Sequence, residues 1–127
     1  MSEFVLDASV ILEVLFERPL AGEIEGHIPG SLVSSVNLAE VVSKLVDFGS
    51  TEEHARVALA RLDVIVVSFN AADAWPTGLL RKRTRHEHLS LADRACLALA
   101  ISSRLPALTK DRAWGRLGLG KTVRVVG

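Results

Sequence analysis

Four acids are spaced along this chain so that they could act together: Asp7, Glu40, Asp93 and Asp111. Asp7 ends the apolar run Phe4-Val5-Leu6 and is followed by Ala8 and Ser9. A run of this kind without polar alternation reads as a strand buried on both faces of a parallel sheet. In open α/β folds, ligands bind at the carboxyl edge of such strands. Two carboxylates at ~4 Å repel by about 4 kcal/mol at an effective dielectric near 20, so a close group of four needs protons or a cation. An all-oxygen set with neither thiolate nor paired histidine favours Mg²⁺ over zinc, with Mn²⁺ able to substitute. A hard cation held by acids at an open edge suits phosphodiester hydrolysis: it lowers the pKa of an attacking water and offsets charge on the phosphoryl oxygens.

The elements that would position these acids alternate between strand and helix signals, which argues for an α/β fold built from parallel units. Ser9 is placed to cap a helix from Val10 to Arg18, with a weaker helical piece from Leu20 to Glu25 after Pro19. The second strand is expected at Leu32 to Ser35, and Asn37 is expected to begin a helix stopped by Gly49. Thr51 caps a third helix, and Val64 to Val67 forms the third strand. Asn70 starts a helix that reaches the basic run Arg81-Lys82-Arg83-Thr84-Arg85, although Pro76 and Gly78 weaken its first turns. Ser90 caps a helix from Leu91 to Arg104, Pro106 to Thr109 is a fourth strand, and Thr122 to Val126 a fifth.

In such units the helix after a strand begins at the carboxyl edge, and so does the helix that runs back before the next parallel strand. Glu40 and Asp93 then fall in first turns at that edge, and Asp111 just past the fourth strand. A plainer reading competes. Asn37-x-x-Glu40 and Ser90-x-x-Asp93 both have the form of capping boxes, in which the acid serves the helix and nothing else. Asp7 is explained by no cap.

Length and composition fit one domain. The chain has 127 residues, 49% hydrophobic and 24% charged, with a formal net charge of zero, so any attraction for nucleic acid must be local. Its apolar runs are too short to cross a bilayer, and no signal peptide is visible at the N-terminus, which points to the cytoplasm. The single cysteine, Cys96, reads as a core filler. Gly115 to Thr122 satisfies the phosphate-loop pattern, but the match precedes a strand instead of opening a helix, so no nucleotide cofactor is expected there. Arg81 and Arg83, with Arg112 beside Asp111, are candidates for gripping nucleic-acid phosphates. The solvated face of a helix would look the same. His86 and His88 lack further ligands, and Trp114 reads as packing.

Four segments together carry a family resemblance: Phe4 to Ser9, Ser35 to Val41, Leu89 to Ala100 and Leu108 to Trp114. In order and spacing they resemble the PIN-domain ribonucleases, and among these the VapC toxins of VapBC toxin-antitoxin pairs. The resemblance implies a three-layer α/β/α fold with a parallel five-stranded sheet of order 3-2-1-4-5. It also implies an Mg²⁺-dependent endoribonuclease, an RNA substrate, a homodimer and a cognate VapB-type antitoxin. It places the acidic site on Asp7, Glu40, Asp93 and Asp111, with Ser9 and Thr109 as supporting hydroxyls and Asn37 as a further supporting residue. Ala92 departs from the glycine common before the helical acid. Two alternatives belong to other classes: a PIN-like RNA-binding module that has lost catalysis, and an aspartyl-nucleophile phosphatase. The latter group resembles Asp-x-Asp at the first strand, where this chain has Ser9.

Overall fold

A computed structural model describes residues 2–20 and 24–127. Five short parallel strands form one sheet in the order β3-β2-β1-β4-β5. They are β1 (Val5–Leu6), β2 (Leu32–Ser34), β3 (Ile65–Val67), β4 (Ala107–Thr109) and β5 (Val123–Val125). Among the described residues, five α-helices connect β1 through β4, and 3-10 turns connect β4 to β5: the helices are α1 (Ala8–Leu15), α2 (Ser35–Asp47), α3 (Glu52–Leu62), α4 (Ala74–Thr84) and α5 (Leu91–Ser103).

The central strand explains the layering. Successive residues of a strand point to opposite faces, and along β1 Phe4 and Leu6 enter one core while Val5 enters the other. β4 repeats this, with Leu108 in the first core and Ala107 in the second. The first core is closed by Val10 and Ile11 of α1, Val41 and Leu45 of α2, and Ala55 of α3. The second is closed by Leu80 of α4, Cys96, Leu97 and Ala100 of α5, and Trp114. Helices thus cover both faces in a three-layer α/β/α arrangement. Burying a side chain such as Leu6 or Leu97 fully contributes about 1.5–3 kcal/mol, and both are 0% exposed.

Several helix starts differ from the sequence expectation, for one reason. Where β1 and β2 end, the chain turns into helix at once, so the cap falls on the residue leaving the strand. Asp7 occupies the N-cap position of α1 without a side-chain cap bond, and Ser9 lies inside the helix. Ser34, not Asn37, caps α2, its hydroxyl accepting from the Val36 amide at 3.2 Å. Helix α1 also stops at Leu15, short of Arg18. Of the expected piece from Leu20 to Glu25, residues 21–23 lie outside the described residues, and Glu25–His27 forms a 3-10 turn.

Other boundaries agree closely. Thr51 caps α3 and Ser90 caps α5. Gly49 follows α2 with φ +88°, a left-handed conformation that glycine adopts without the Cβ penalty. Asn70 closes a capping box over a 3-10 turn, Ala71–Asp73, that leads into α4. Pro76 lies near the start of α4, where a missing N–H costs little. The segment matching the phosphate-loop pattern forms 3-10 turns and runs directly into β5.

Candidate active site

Asp7 leaves the carboxyl end of β1 with its amide still bonded to the Leu108 carbonyl at 2.9 Å. Only 5% of the residue is exposed. One carboxylate oxygen, Oδ2, accepts from the Ser9 hydroxyl at 2.7 Å and from the Thr109 hydroxyl at 2.8 Å. Both donors fall on one oxygen, which leaves Oδ1 outside this pair of bonds. Burial pushes the Asp7 carboxyl above its ordinary range, the two hydroxyls offset part of that, the Asp93 charge adds to it, and the Ala8 amide lowers it slightly.

Glu40 is the sixth residue of α2, too far along to serve the N-terminus that Ser34 caps. The capping-box reading of Asn37 and Glu40 therefore does not hold. Instead, the buried oxygen Oε2 of Glu40 has no hydrogen-bond partner among the described residues. Its carboxyl is raised first by burial, then by the charges of Asp7 and Asp93, while the Asn37 amide and Lys44 act in the opposite direction. Asn37 is fully buried. Its Nδ2 donates to the Ala92 carbonyl at 3.0 Å, joining α2 to the first turn of α5, and its Oδ1 has no partner among the described residues.

Asp93 does serve a cap. Its Oδ2 accepts from the Ser90 amide at 2.9 Å, while its own amide donates to the Ser90 hydroxyl at 3.1 Å. The cap commits one oxygen, and the charge still reaches both Asp7 and Glu40. Capping and participation in an acidic group are compatible for this residue. Beneath the three acids lies Cys96, fully buried, its thiol pushed well above the ordinary value by burial and then by Asp7, Asp93 and Glu40.

Asp111 stands apart. It is exposed at the start of a 3-10 turn, Arg112–Arg116, where its Oδ1 accepts from the Ala113 amide at 2.9 Å. Its amide donates to the Thr109 hydroxyl at 3.0 Å, which ties it to Asp7 through one intervening group. Among the described residues, no group of three or more His, Cys, Asp or Glu side chains is gathered so that it could hold a metal ion. The Asp93 charge thus acts on Asp7 and Glu40 although the three side chains do not close around a single point. The donor chemistry nevertheless suits a hard cation: oxygen ligands throughout, with a buried Glu40 oxygen left without a partner among the described residues.

The basic residues separate by location. Arg81, Lys82 and Arg83 occupy the exposed last turn of α4, where positive charge also complements the helix dipole. Arg83 lines a groove of about 580 Å³ between α4, α5 and residues 67–70. Arg112 is exposed and makes no ion pair among the described residues. His86 contacts the Arg116 carbonyl at 3.3 Å, and Glu87 pairs with Arg116. Trp114 is 1% exposed and belongs to the core.

Sequence reasoning passed over Glu13 and Lys110. Glu13 is 8% exposed, and its two oxygens hold Arg18 and Lys110, each at 3.0 Å. The available signal was a lone acid inside the apolar run Val10-Ile11-Leu12-Glu13-Val14-Leu15, four residues after Ser9.

Comparison with known proteins adds to this geometry. The family described as "PIN domain" matches residues 4–119. No curated protein matches the chain in sequence. Among solved structures, the chain is similar to one described as DNA-bound VapBC from Salmonella typhimurium, with a TM-score of 0.76 and 19% identity over 98% of both chains. It is also similar to VapBC2 from Rickettsia felis bound to a promoter DNA fragment, with a TM-score of 0.72 and 15% identity over 98% of both chains. A third likeness is to the VapBC-5 structure from Mycobacterium tuberculosis, with a TM-score of 0.62 and 20% identity over 99% of this chain and 98% of that one. At these identities the likenesses speak for the fold, and the family match spans nearly the whole chain. By that match, this chain belongs to the PIN-domain family.

Proposed function

We propose that the protein is the toxin of a VapBC-type toxin-antitoxin pair: an Mg²⁺-dependent endoribonuclease restrained by a VapB-type antitoxin, acting in the cytoplasm and as a homodimer. One observation carries the nuclease reading. At the carboxyl edge the Asp93 charge helps raise the carboxyls of Asp7 and Glu40, the Asp7 charge helps raise that of Glu40, and Glu40 keeps a buried oxygen without a hydrogen-bond partner among the described residues. VapBC complexes among the structural relatives support the partner.

Asp7, Glu40 and Asp93 would hold the ion, with Asp111 contributing from the rim, directly or through water. When bound, Mg²⁺, or Mn²⁺ in its place, supplies positive charge opposite the phosphoryl oxygens and makes water a better nucleophile. Ser9 and Thr109 turn Asp7 so that Oδ1 is left for ligation. Asn37 fixes the first turn of α5 against α2, which sets Asp93 relative to Glu40. Arg112, Arg81 and Arg83 supply charge for the RNA backbone.

A second reading, an RNA-binding PIN module without catalysis, is favoured by the lack of a gathered metal-ligand group among the described residues. One experiment separates the two. Purified protein is incubated with total RNA, with Mg²⁺ or with a chelator, and new 5′ ends are mapped for wild type and Glu40→Gln. The nuclease reading expects Mg²⁺-dependent ends that fall by roughly 100-fold in the variant, the size typical of losing one electrostatic group from such a site. Full cleavage by folded Glu40→Gln would remove Glu40 from the site, and RNA bound but never cut by wild type would favour the second reading.

A further inference from the structure

We propose that Glu13 is a positioning residue: by holding Lys110 it keeps the segment Thr109–Asp111 where two of its amides aim the Ser9 and Thr109 hydroxyls at Asp7. The inference deepens the nuclease reading and rests on it only for the kinetic part of its test.

The hydrogen-bond pattern has a direction. A hydroxyl has one proton to give and two lone pairs to receive. The Ser9 hydroxyl accepts from the Lys110 amide at 3.1 Å and donates to Asp7 Oδ2 at 2.7 Å. The Thr109 hydroxyl accepts from the Asp111 amide at 3.0 Å and donates to the same oxygen at 2.8 Å. An amide can only donate here, so each occupies a lone pair and leaves the hydroxyl proton to point at the carboxylate. Two consecutive amides beyond β4 thereby decide which oxygen of Asp7 is loaded and which is left free.

Those amides need an anchor. On the β5 side, the Val126 amide bonds the Thr109 carbonyl at 2.8 Å. On the α1 side, the anchor is the ion pair of Lys110 Nζ with Glu13 Oε2 at 3.0 Å. Ser9 and Glu13 are four residues apart on α1 and so share one face. The helix therefore grips Lys110 twice, at its backbone through Ser9 and at its ammonium through Glu13. The Glu13 side chain is 10% exposed and that of Lys110 32%, so this pair is partly shielded, whereas the Arg18 side chain on the other oxygen of Glu13 is 56% exposed.

The test uses the full chain, free of metal, and reads amide hydrogen exchange by NMR. Lys110→Met keeps the aliphatic stem and removes the charge. It is expected to speed exchange at the Lys110 and Asp111 amides by roughly fivefold or more, while amides of β1 and α5 keep their protection. Lys110→Arg restores protection, and Arg18→Ala leaves the two amides unaffected. Glu13→Gln, which conserves shape, should reproduce the faster exchange. In the nuclease assay, Lys110→Met should lower kcat by roughly tenfold with KM unchanged. Unchanged exchange at both amides in Lys110→Met and Glu13→Gln overturns the inference. So does a higher KM at constant kcat, which would make Lys110 an RNA-binding residue. If wild type shows no nuclease activity, the exchange result alone decides the inference and the nuclease reading is the one that fails.

Discussion

The Thr109 hydroxyl donates to Asp7 Oδ2 at 2.8 Å across 102 positions of sequence, joining the ends of β1 and β4, which lie side by side in the sheet. This bond lowers an Asp7 carboxyl that burial raises. Thr109→Val keeps the shape and removes the donor. Asp7 then rises further, so a higher pH is needed to ionise it and the acid limb of the Mg²⁺-dependent cleavage profile moves to higher pH. The fold is retained with a loss of about 1–3 kcal/mol, because the Asp111 amide and Asp7 each lose a partner. A pH-rate profile checks this, and an acid limb that stays in place would separate Thr109 from the ionisation of Asp7.

The raised carboxyls of Asp7 and Glu40 also set how stability depends on pH. Each has a folded-state pKa above its unfolded value, near 3.8 for Asp7 and 4.5 for Glu40. Their contribution to stability is fully present below those unfolded values and is lost as pH rises through the raised ones. Metal-free Glu40→Gln should therefore melt a few degrees above wild type at pH 8, with the gap closing toward pH 4. Adding Mg²⁺ should narrow or reverse the gap by stabilising wild type more. Thermal melts at the two pH values, with and without Mg²⁺, test both. Equal melting temperatures at pH 8 would mean that Glu40 carries no net electrostatic cost.

The exposed last turn of α4 gives a third expectation. If Arg81 and Arg83 grip phosphates, Arg81→Ala with Arg83→Ala weakens RNA binding and flattens log K against log salt by about 0.7 for each single-strand phosphate no longer neutralised. Binding titrations at several salt concentrations, with Mg²⁺ withheld to prevent cleavage, measure the slope. A slope equal to that of wild type would return these residues to a solvated helix end that complements its dipole.

The central strands were legible because a strand buried on both faces leaves an uninterrupted apolar run, as at Phe4 to Leu6, and the half-exposed edge strand β3 because its β-branched run Val64 to Val67 is apolar as well, while the order 3-2-1-4-5 was implied by the family resemblance. Helix starts were less legible. Ser34, Ser35 and Asn37 can all cap in principle, and the choice belongs to the backbone, which leaves the extended conformation only where pairing of β2 with β3 ends at Ser34. Ser9 misled because its hydroxyl is drawn to a carboxylate and to the Lys110 amide just beyond β4, a pull invisible to local pattern. That Asp7, Glu40 and Asp93 fall at one edge follows from β-α alternation alone. Which of their oxygens are already committed does not, since that is fixed by pairings such as Ser90 with Asp93 and Thr109 with Asp7. Glu13 went unnoticed because a single acid in a helix usually faces water, and its partner Lys110 lies beyond β4.

Cys96 lies at the floor of this arrangement, closed off from solvent and under three negative charges. Thiolate formation is disfavoured there twice over, so alkylating agents and oxidants have no nucleophilic sulfur to meet while the molecule is intact. Chemical modification at that single position is thus a record of molecules that have already come apart.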